Sequence, residues 1–284
     1  MVVTDPAAAR AAVRAAQAAG KLVGLVPTMG NLHAGHASLL RRARGECGFV
    51  AATIFVNPTQ FDNPDDLANY PRTPDEDLAL CAAEGTDLVF MPAAAALYRP
   101  DATTVVTVGE LDQPLCGRSR PGHFAGVATV VAKLFNILPA EVAYFGRKDF
   151  QQAALLRRMA RDLDFPVDVR LCPTVREADG LALSSRNRRL DPESRRQAPA
   201  LYRALSAAAT AWRRGADADD ARKILRAELA LAPRGRAEYA EVVDTETLRP
   251  APHRQRSALL AVAVHFGPVR LIDNVVVETE GDGC

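Results

Sequence analysis

Lys21-Leu-Val-Gly-Leu-Val-Pro-Thr-Met-Gly-Asn-Leu-His-Ala-Gly-His36 reads as a strand, a turn and the start of a helix. The apolar run ending at Val26 has the unbroken character of a strand buried on both faces of a parallel sheet. Pro27 to Gly30 carries turn residues, and the helix that follows runs to about Arg44. Phe49 to Val56 is a second buried strand, closed by Asn57-Pro58. The roughly 30 residues between the two strands suit a βαβ crossover.

Working outward, residues 5 to 19 form an Ala/Arg helix ahead of the first strand. On the other side, the polar stretch Asp62 to Arg72 leads into a helix near Pro74 to Glu84 and a short strand from Asp87 to Met91. Thr103 to Val108 alternates as an edge strand would. Gly126 to Leu138 is apolar and helical, Val142 to Phe145 is a strand, a helix runs through Leu163, and Val167 to Leu171 ends the series. This alternation predicts an open, mostly parallel sheet wrapped by helices on both faces, a doubly wound, Rossmann-like α/β architecture. Ligands then belong at the carboxyl ends of the strands.

Beyond about Pro173 the pattern changes to two Ala/Arg/Leu helices, Pro192 to Arg213 and Asp217 to Leu231, and then strands at Ala237 to Val243, Ser257 to Val264 and Val269 to Val277. That is a smaller α+β domain. The expected domains are residues 1–174 and 175–284.

Composition narrows the function classes. With 284 residues, 48% of them apolar, the chain can bury a core without disulfides or metal. Its 35 basic and 34 acidic residues are dispersed, with none of the polybasic runs that nucleic acid attracts, so any phosphate binding is local. Cys47, Cys81, Cys116, Cys172 and Cys284 are odd in number and widely spaced, which suggests neither a disulfide framework nor a zinc site. No stretch is apolar enough for a signal peptide or a membrane helix, so a cytoplasmic protein is expected.

His33 and His36 stand three apart at a helix start, so their rings share one face above backbone N–H groups that a helix leaves unpaired. Such a place suits a phosphate chain, and Gly35 lets a ring or sugar approach the backbone. The plainer alternative is a pair of capping or surface histidines. Zinc is a weaker rival, because this spacing supplies two ligands and nothing nearby completes the set.

Three further segments follow strands or lie at the domain boundary. Gly146-Arg-Lys-Asp149 places Lys148 as a point charge for an α-phosphate, in a chain whose other basic residues are arginine apart from Lys21, Lys133 and Lys223. The alternative is a helix capped by Asp149 with a solvated Lys148. Leu183-Ser-Ser-Arg186 offers two hydroxyls and a guanidinium to phosphate oxygens, or is an ordinary cap. Gln60, in Asn57-Pro-Thr-Gln-Phe61, can donate to and accept from a small substrate, or simply belong to a strand-ending turn. His123 is by default structural, and Asp75, Glu76 and Asp77 either hold Mg²⁺ near phosphates or, the favoured reading, form an ordinary helix start.

Taken in order, these segments resemble the pantothenate synthetases, the pantoate:β-alanine ligases, within the nucleotidyltransferase group that shares a His-x-Gly-His site with class I aminoacyl-tRNA synthetases. The likeness extends to Tyr70-Pro-Arg-Thr-Pro74, His123-Phe-Ala-Gly126, Pro173-Thr-Val-Arg-Glu-Ala-Asp-Gly180 and Arg270-Leu-Ile-Asp-Asn274. The resemblance implies that pantoate's carboxylate attacks the α-phosphate of ATP to give pantoyl adenylate and pyrophosphate. The amine of β-alanine then displaces AMP to form pantothenate. It implies ATP contacts at Met29, Gly30, Asn31, Leu32, His33, Ala34, Gly35, His36, Gly146, Arg147, Lys148, Asp149, Val175, Leu183, Ser184, Ser185 and Arg186. His36, His33 and Lys148 are the expected catalytic residues, with His36 the proton donor. Gln60 is implied for pantoate and β-alanine and Gln152 for pantoate. Mg²⁺ is held mainly through the phosphates, with no metal site of the protein's own, and a homodimer is implied.

Residues 1–174 would then bind nucleotide and pantoate, and the smaller domain would carry the Ser184 loop. Closure of that loop or of the second domain would shield the adenylate from water. Two departures stand out: the family commonly has glutamate where Arg147 stands and methionine where Leu183 stands. The rival readings are a nucleotidyltransferase of the same superfamily acting on another acceptor, and a nucleotide-binding protein without catalysis.

Overall fold

The computed structural model describes residues 1–251 and 256–278. Six strands form one parallel sheet: β1 (Val2–Val3), β2 (Val23–Val26), β3 (Phe49–Thr53), β4 (Leu88–Phe90), β5 (Val142–Gly146) and β6 (Asp168–Cys172). Their order is β1-β4-β3-β2-β5-β6, and every pair is parallel. All four residues of β2 are buried, as a central strand covered on both faces requires.

Val26, Val50 and Ala52 point to one face, where Leu39, Leu40 and Ala43 of the helix Ala34–Glu46 pack with Cys81 of the helix Pro74–Ala83. The helix Pro6–Ala18 lies against β2 and β4 and touches the helix His123–Ile137. From β2 the chain winds outward through β3 and β4, then returns to β5 on the other side of β2. The reversal leaves a crevice at the carboxyl ends of β2 and β5, where Pro27 and Gly146 emerge.

By compactness the chain divides into two units, Met1–Arg147 with Gln151–Pro173, and Lys148–Phe150 with the residues from Thr174 onward. In the second, β7 (Gly235–Asp244), β8 (Ser257–Phe266) and β9 (Val269–Glu278) form an antiparallel sheet in that order. Alternate residues of β8, among them Leu260, Val262 and Val264, join Leu201, Leu205, Trp212 and Leu225 of two helices in its core.

Two elements differ from expectation. The helix read as Pro192 to Arg213 is two, Pro192–Gln197 and Ala200–Arg213, because Pro199 at the junction has no N–H to continue the ladder. Thr103 to Val108 joins no ladder and is largely exposed, and Val106 donates its N–H to Thr129 Oγ1 on a helix. Its β-branched residues favour an extended backbone but do not supply a strand to pair with. Cys47, Cys81, Cys116 and Cys172 are buried thiols, and Cys284 lies outside the described residues. Among those residues no helix is long and apolar enough to cross a membrane.

Candidate active site

The turn leaving β2 is held to β3 by a threonine pair. Thr28 donates its Oγ1 hydrogen to the Thr53 carbonyl at 2.5 Å, and Thr53 Oγ1 accepts from Thr28 N–H at 3.1 Å. The backbone then passes through two successive left-handed residues, Gly30 at φ +82° and Asn31 at φ +50°. Such a pair aims consecutive N–H groups into one concavity that ordinarily attracts an anion. Here the anion is internal: Asp77, 2% exposed, accepts from Asn31 N–H at 2.9 Å and Leu32 N–H at 2.6 Å. Thr73 Oγ1 adds a third hydrogen bond at 3.2 Å. A Cβ on Gly30 would stand 2.9 Å from Asp77 Oδ2, so both the conformation and the approach of the carboxylate require glycine.

The three acids are therefore not equivalent. Asp75 and Glu76 are exposed in the first helical turn, while Asp77 is committed to the loop that precedes the histidines.

His33 is the N-cap of the helix Ala34–Glu46, and the cap is made by the two imidazoles themselves. His33 Nδ1 accepts from Gly35 N–H at 3.1 Å, and His36 Nδ1 accepts from His33 N–H at 3.3 Å. The ring centroids are 4.2 Å apart. With Nδ1 an acceptor in both rings, each neutral imidazole carries its proton on Nε2. This refines the idea of bare backbone donors at the helix start. The Gly35 N–H is used by His33 Nδ1 and the His36 N–H by the His33 carbonyl. Capping is thus a task that both rings perform.

Gln60 sits in a short turn, Pro58–Gln60, just after β3. Its Oε1 accepts from Asn57 Nδ2 at 3.1 Å and its Nε2 donates to the Met29 sulfur at 3.0 Å. Its carbonyl accepts from His123 Nδ1 at 2.7 Å and Arg120 Nη2 at 3.3 Å, which gives His123 the structural task expected of it. Asn57 Nδ2 also reaches the Gly126 carbonyl, and a Cβ on Gly126 would stand 2.3 Å from the Thr59 carbonyl oxygen. Glycine at 126 is what lets this turn rest on the helix His123–Ile137.

Gln152 is half-buried in the helix Phe150–Asp162. Its neighbour Gln151 is buried and binds the backbone of Leu111, Pro114 and Cys116.

In the second unit, Lys148 lies in the turn Arg147–Asp149, its side chain 18% exposed and its Nζ 3.8 Å from Asp149 Oδ1. Arg147 is exposed. Residues 175–183 form a tight hairpin in which Leu183 N–H donates to the Val175 carbonyl at 2.9 Å, so two expected nucleotide contacts are backbone partners. Ser184 Oγ then accepts from Arg186 N–H at 3.2 Å, capping the short helix Ser185–Arg189. A polar cluster backs this hairpin, with Arg176 gripping Asp273 through both guanidinium Nη atoms. Burial pushes the Asp273 carboxyl up, against the opposing pull of Arg176.

Asn57, Gly126, Arg176 and the pair Asp273-Asn274 were not singled out as site residues in the sequence, and Asp77 was read there as part of a helix start. The only signal for most of them was membership of a motif.

The chain matches the Pantoate-beta-alanine ligase family model over residues 1–276. The chain belongs to that family. It is 52% identical over 265 residues to the pantothenate synthetase of Gluconobacter oxydans, covering 93% of this chain and 96% of that protein. It is 50% identical over 254 residues to that of Akkermansia muciniphila, covering 88% and 90%. Among solved structures, pantothenate synthetase from Thermus thermophilus superposes with a TM-score of 0.90 at 46% identity, covering 96% of this chain and 98% of that one. Pantoate-beta-alanine ligase from Francisella tularensis, complexed with beta-gamma ATP and β-alanine, superposes with a TM-score of 0.79 at 30% identity, covering 97% of both. The chain is thus an enzyme of the pantoate–β-alanine ligase kind.

Proposed function

We propose that this ligase joins (R)-pantoate to β-alanine through a pantoyl adenylate formed from ATP. The carrying observation is the imidazole cap, because it fixes two neighbouring imidazoles in the turn that follows the carboxyl end of β2. In the first step a pantoate carboxylate oxygen bonds to the α-phosphorus and the bond to pyrophosphate breaks. In the second, the β-alanine nitrogen bonds to the acyl carbon, the bond to AMP breaks, and the nitrogen gives up a proton.

Negative charge grows on the phosphoryl oxygens and on departing pyrophosphate, so donors fixed in advance lower the barrier without reorganising. His36 and His33 supply such donors as hydrogen bonds, with His36 the donor to the departing pyrophosphate, and Lys148 supplies a compact charge to the α-phosphate. The ATP contacts are Met29 to His36, Gly146 to Asp149, Val175 and Leu183 to Arg186. Gln60, held at both ends of its amide by Asn57 and Met29, orients pantoate and β-alanine, and Gln152 contacts pantoate. ATP enters as its magnesium complex. The ion is held mainly through the phosphates, and both Asp77 oxygens are already engaged by the loop.

On the same reading the nucleotide and pantoate part ends near residue 174, the protein works in the cytoplasm, and it is a homodimer. The homodimer follows from the family resemblance, and light scattering tests it. The adenylate is tested by exchange of labelled pyrophosphate into ATP, with pantoate present and β-alanine absent. Exchange that requires pantoate is expected. Pantothenate formation without any such exchange would sink the adenylate route, and exchange driven by a different acid would favour another acceptor.

A further inference from the structure

Adjacent residues of β9 hold both segments that carry the second unit's candidate phosphate donors. Asp273 and Asn274 are buried, 3% and 6% exposed, and as neighbours in a strand they send their side chains to opposite faces. On one face, Asp273 takes Arg176 Nη1 at 2.5 Å and Nη2 at 3.0 Å. That guanidinium also lies 3.9 Å from the Tyr202 ring centroid and donates to the Gly180 carbonyl at 3.1 Å. Asp273 thereby anchors the hairpin whose two limbs join at Val175 and Leu183, directly ahead of Ser184. On the other face, Asn274 Nδ2 donates to the Lys148 carbonyl at 2.7 Å. The Asn274 N–H closes the unit by donating to Asp273 Oδ1 at 2.8 Å.

We propose that Asn274 is a positioning residue for Lys148, and that the Asp273-Asn274 pair sets the placement of Lys148 relative to the Ser184 loop. The proposal rests on the reading of Lys148 as the charge at the α-phosphate. Lys148 lies in a three-residue turn, too short to stiffen itself. The segment Lys148–Phe150 also belongs to the second compact unit, with the strand that grips it. A lysine is a long side chain, so where its ammonium reaches depends on where its backbone is pinned. A neutral amide donor pins that backbone without adding a charge beside the phosphates.

A displacement of about 1 Å in a group that acts on the transition state is worth about 10²-fold in rate. Asn274→Ala is therefore expected to lower the turnover number of pantoate-dependent pyrophosphate exchange by about 10- to 100-fold, with the KM for pantoate little changed. The decisive measurement is a double-mutant cycle with Lys148→Ala. If Asn274 acts through Lys148, adding Asn274→Ala to Lys148→Ala costs less than about twofold further. Multiplying effects, or an Asn274→Ala enzyme within about twofold of the parent, overturn the proposal while leaving Lys148 in place. A Lys148→Ala enzyme with full exchange overturns both this inference and the role given to Lys148. Should Asn274→Ala fail to fold by circular dichroism, the cycle is run with Asn274→Ser, whose hydroxyl keeps some volume but stops short of the carbonyl.

Discussion

The histidine turn and the Lys148 turn do comparable work in the proposed reaction but are held in different ways. His33 and His36 together cap a single helix through hydrogen bonds that span two and three residues. Lys148 is held by a side chain 126 residues away in the chain. Even the histidine turn has one distant support, Asp77, which lies 46 and 45 residues from the two N–H groups it holds. The difference teaches that a donor array can be encoded locally, while its aim is set by partners that arrive from elsewhere in the fold.

Removing the local array should do the most damage. His36→Ala takes away one ring donor and the acceptor for His33 N–H, and is expected to lower pyrophosphate exchange by about 10²-fold or more with the fold intact. Near-normal exchange in that variant would take His36 out of the mechanism and leave the comparison without its first member.

Asp77→Asn attacks the distant support of the same turn. An amide can accept one of the two N–H groups and must present its own NH₂ to the other. The loop should loosen, at a cost of about 1–3 kcal/mol in stability. The KM for ATP is expected to rise about tenfold, equivalent to about 1.4 kcal/mol of binding. Steady-state kinetics varying ATP alone, together with a thermal melt, test this; an unmoved KM for ATP would show that the histidine cap needs no remote brace.

Gly126→Ala strikes a second long-range arrangement. The added methyl group meets the Thr59 carbonyl, so the turn carrying Gln60 has to lift, with overpacking worth about 1–3 kcal/mol. The expected signature is a several-fold rise in the KM for pantoate with little change for ATP, and equal rises in both would show general loosening instead.

The smallest effect belongs to Arg147→Glu, which restores the family's common residue. Because the Arg147 side chain is exposed, exchange kinetics should stay within about twofold of the parent at moderate salt. A larger change would place that side chain in the chemistry of its neighbour Lys148.

Much of the architecture was readable because its cause is local. Unbroken apolar runs at Val23–Val26, Phe49–Thr53 and Val142–Gly146 can be satisfied only by burial on both faces, and the helical intervals between them imply parallel pairing. Where the local pattern was insufficient, the reading slipped. Thr103 to Val108 has strand-forming residues but no neighbouring strand, and Pro199 divides a helix whose apolar spacing runs on through it. The histidine motif was legible for the same reason as the strands: its partners lie within one turn of helix.

By itself, then, the sequence determined a doubly wound sheet, a polar motif after each of several strands, and a pair of histidines on one face of a helix start. Periodicity, turn chemistry and short-range capping act over a few residues and leave their trace in the order of amino acids. Only the tertiary structure decided that Asp77 belongs to the Gly30–Leu32 loop, that Gly126 makes room for Gln60, and that Asn274 reaches Lys148. Those pairings depend on which strands become neighbours and on a few ångströms of approach, and nothing in the spacing of residues along the chain carries that distance.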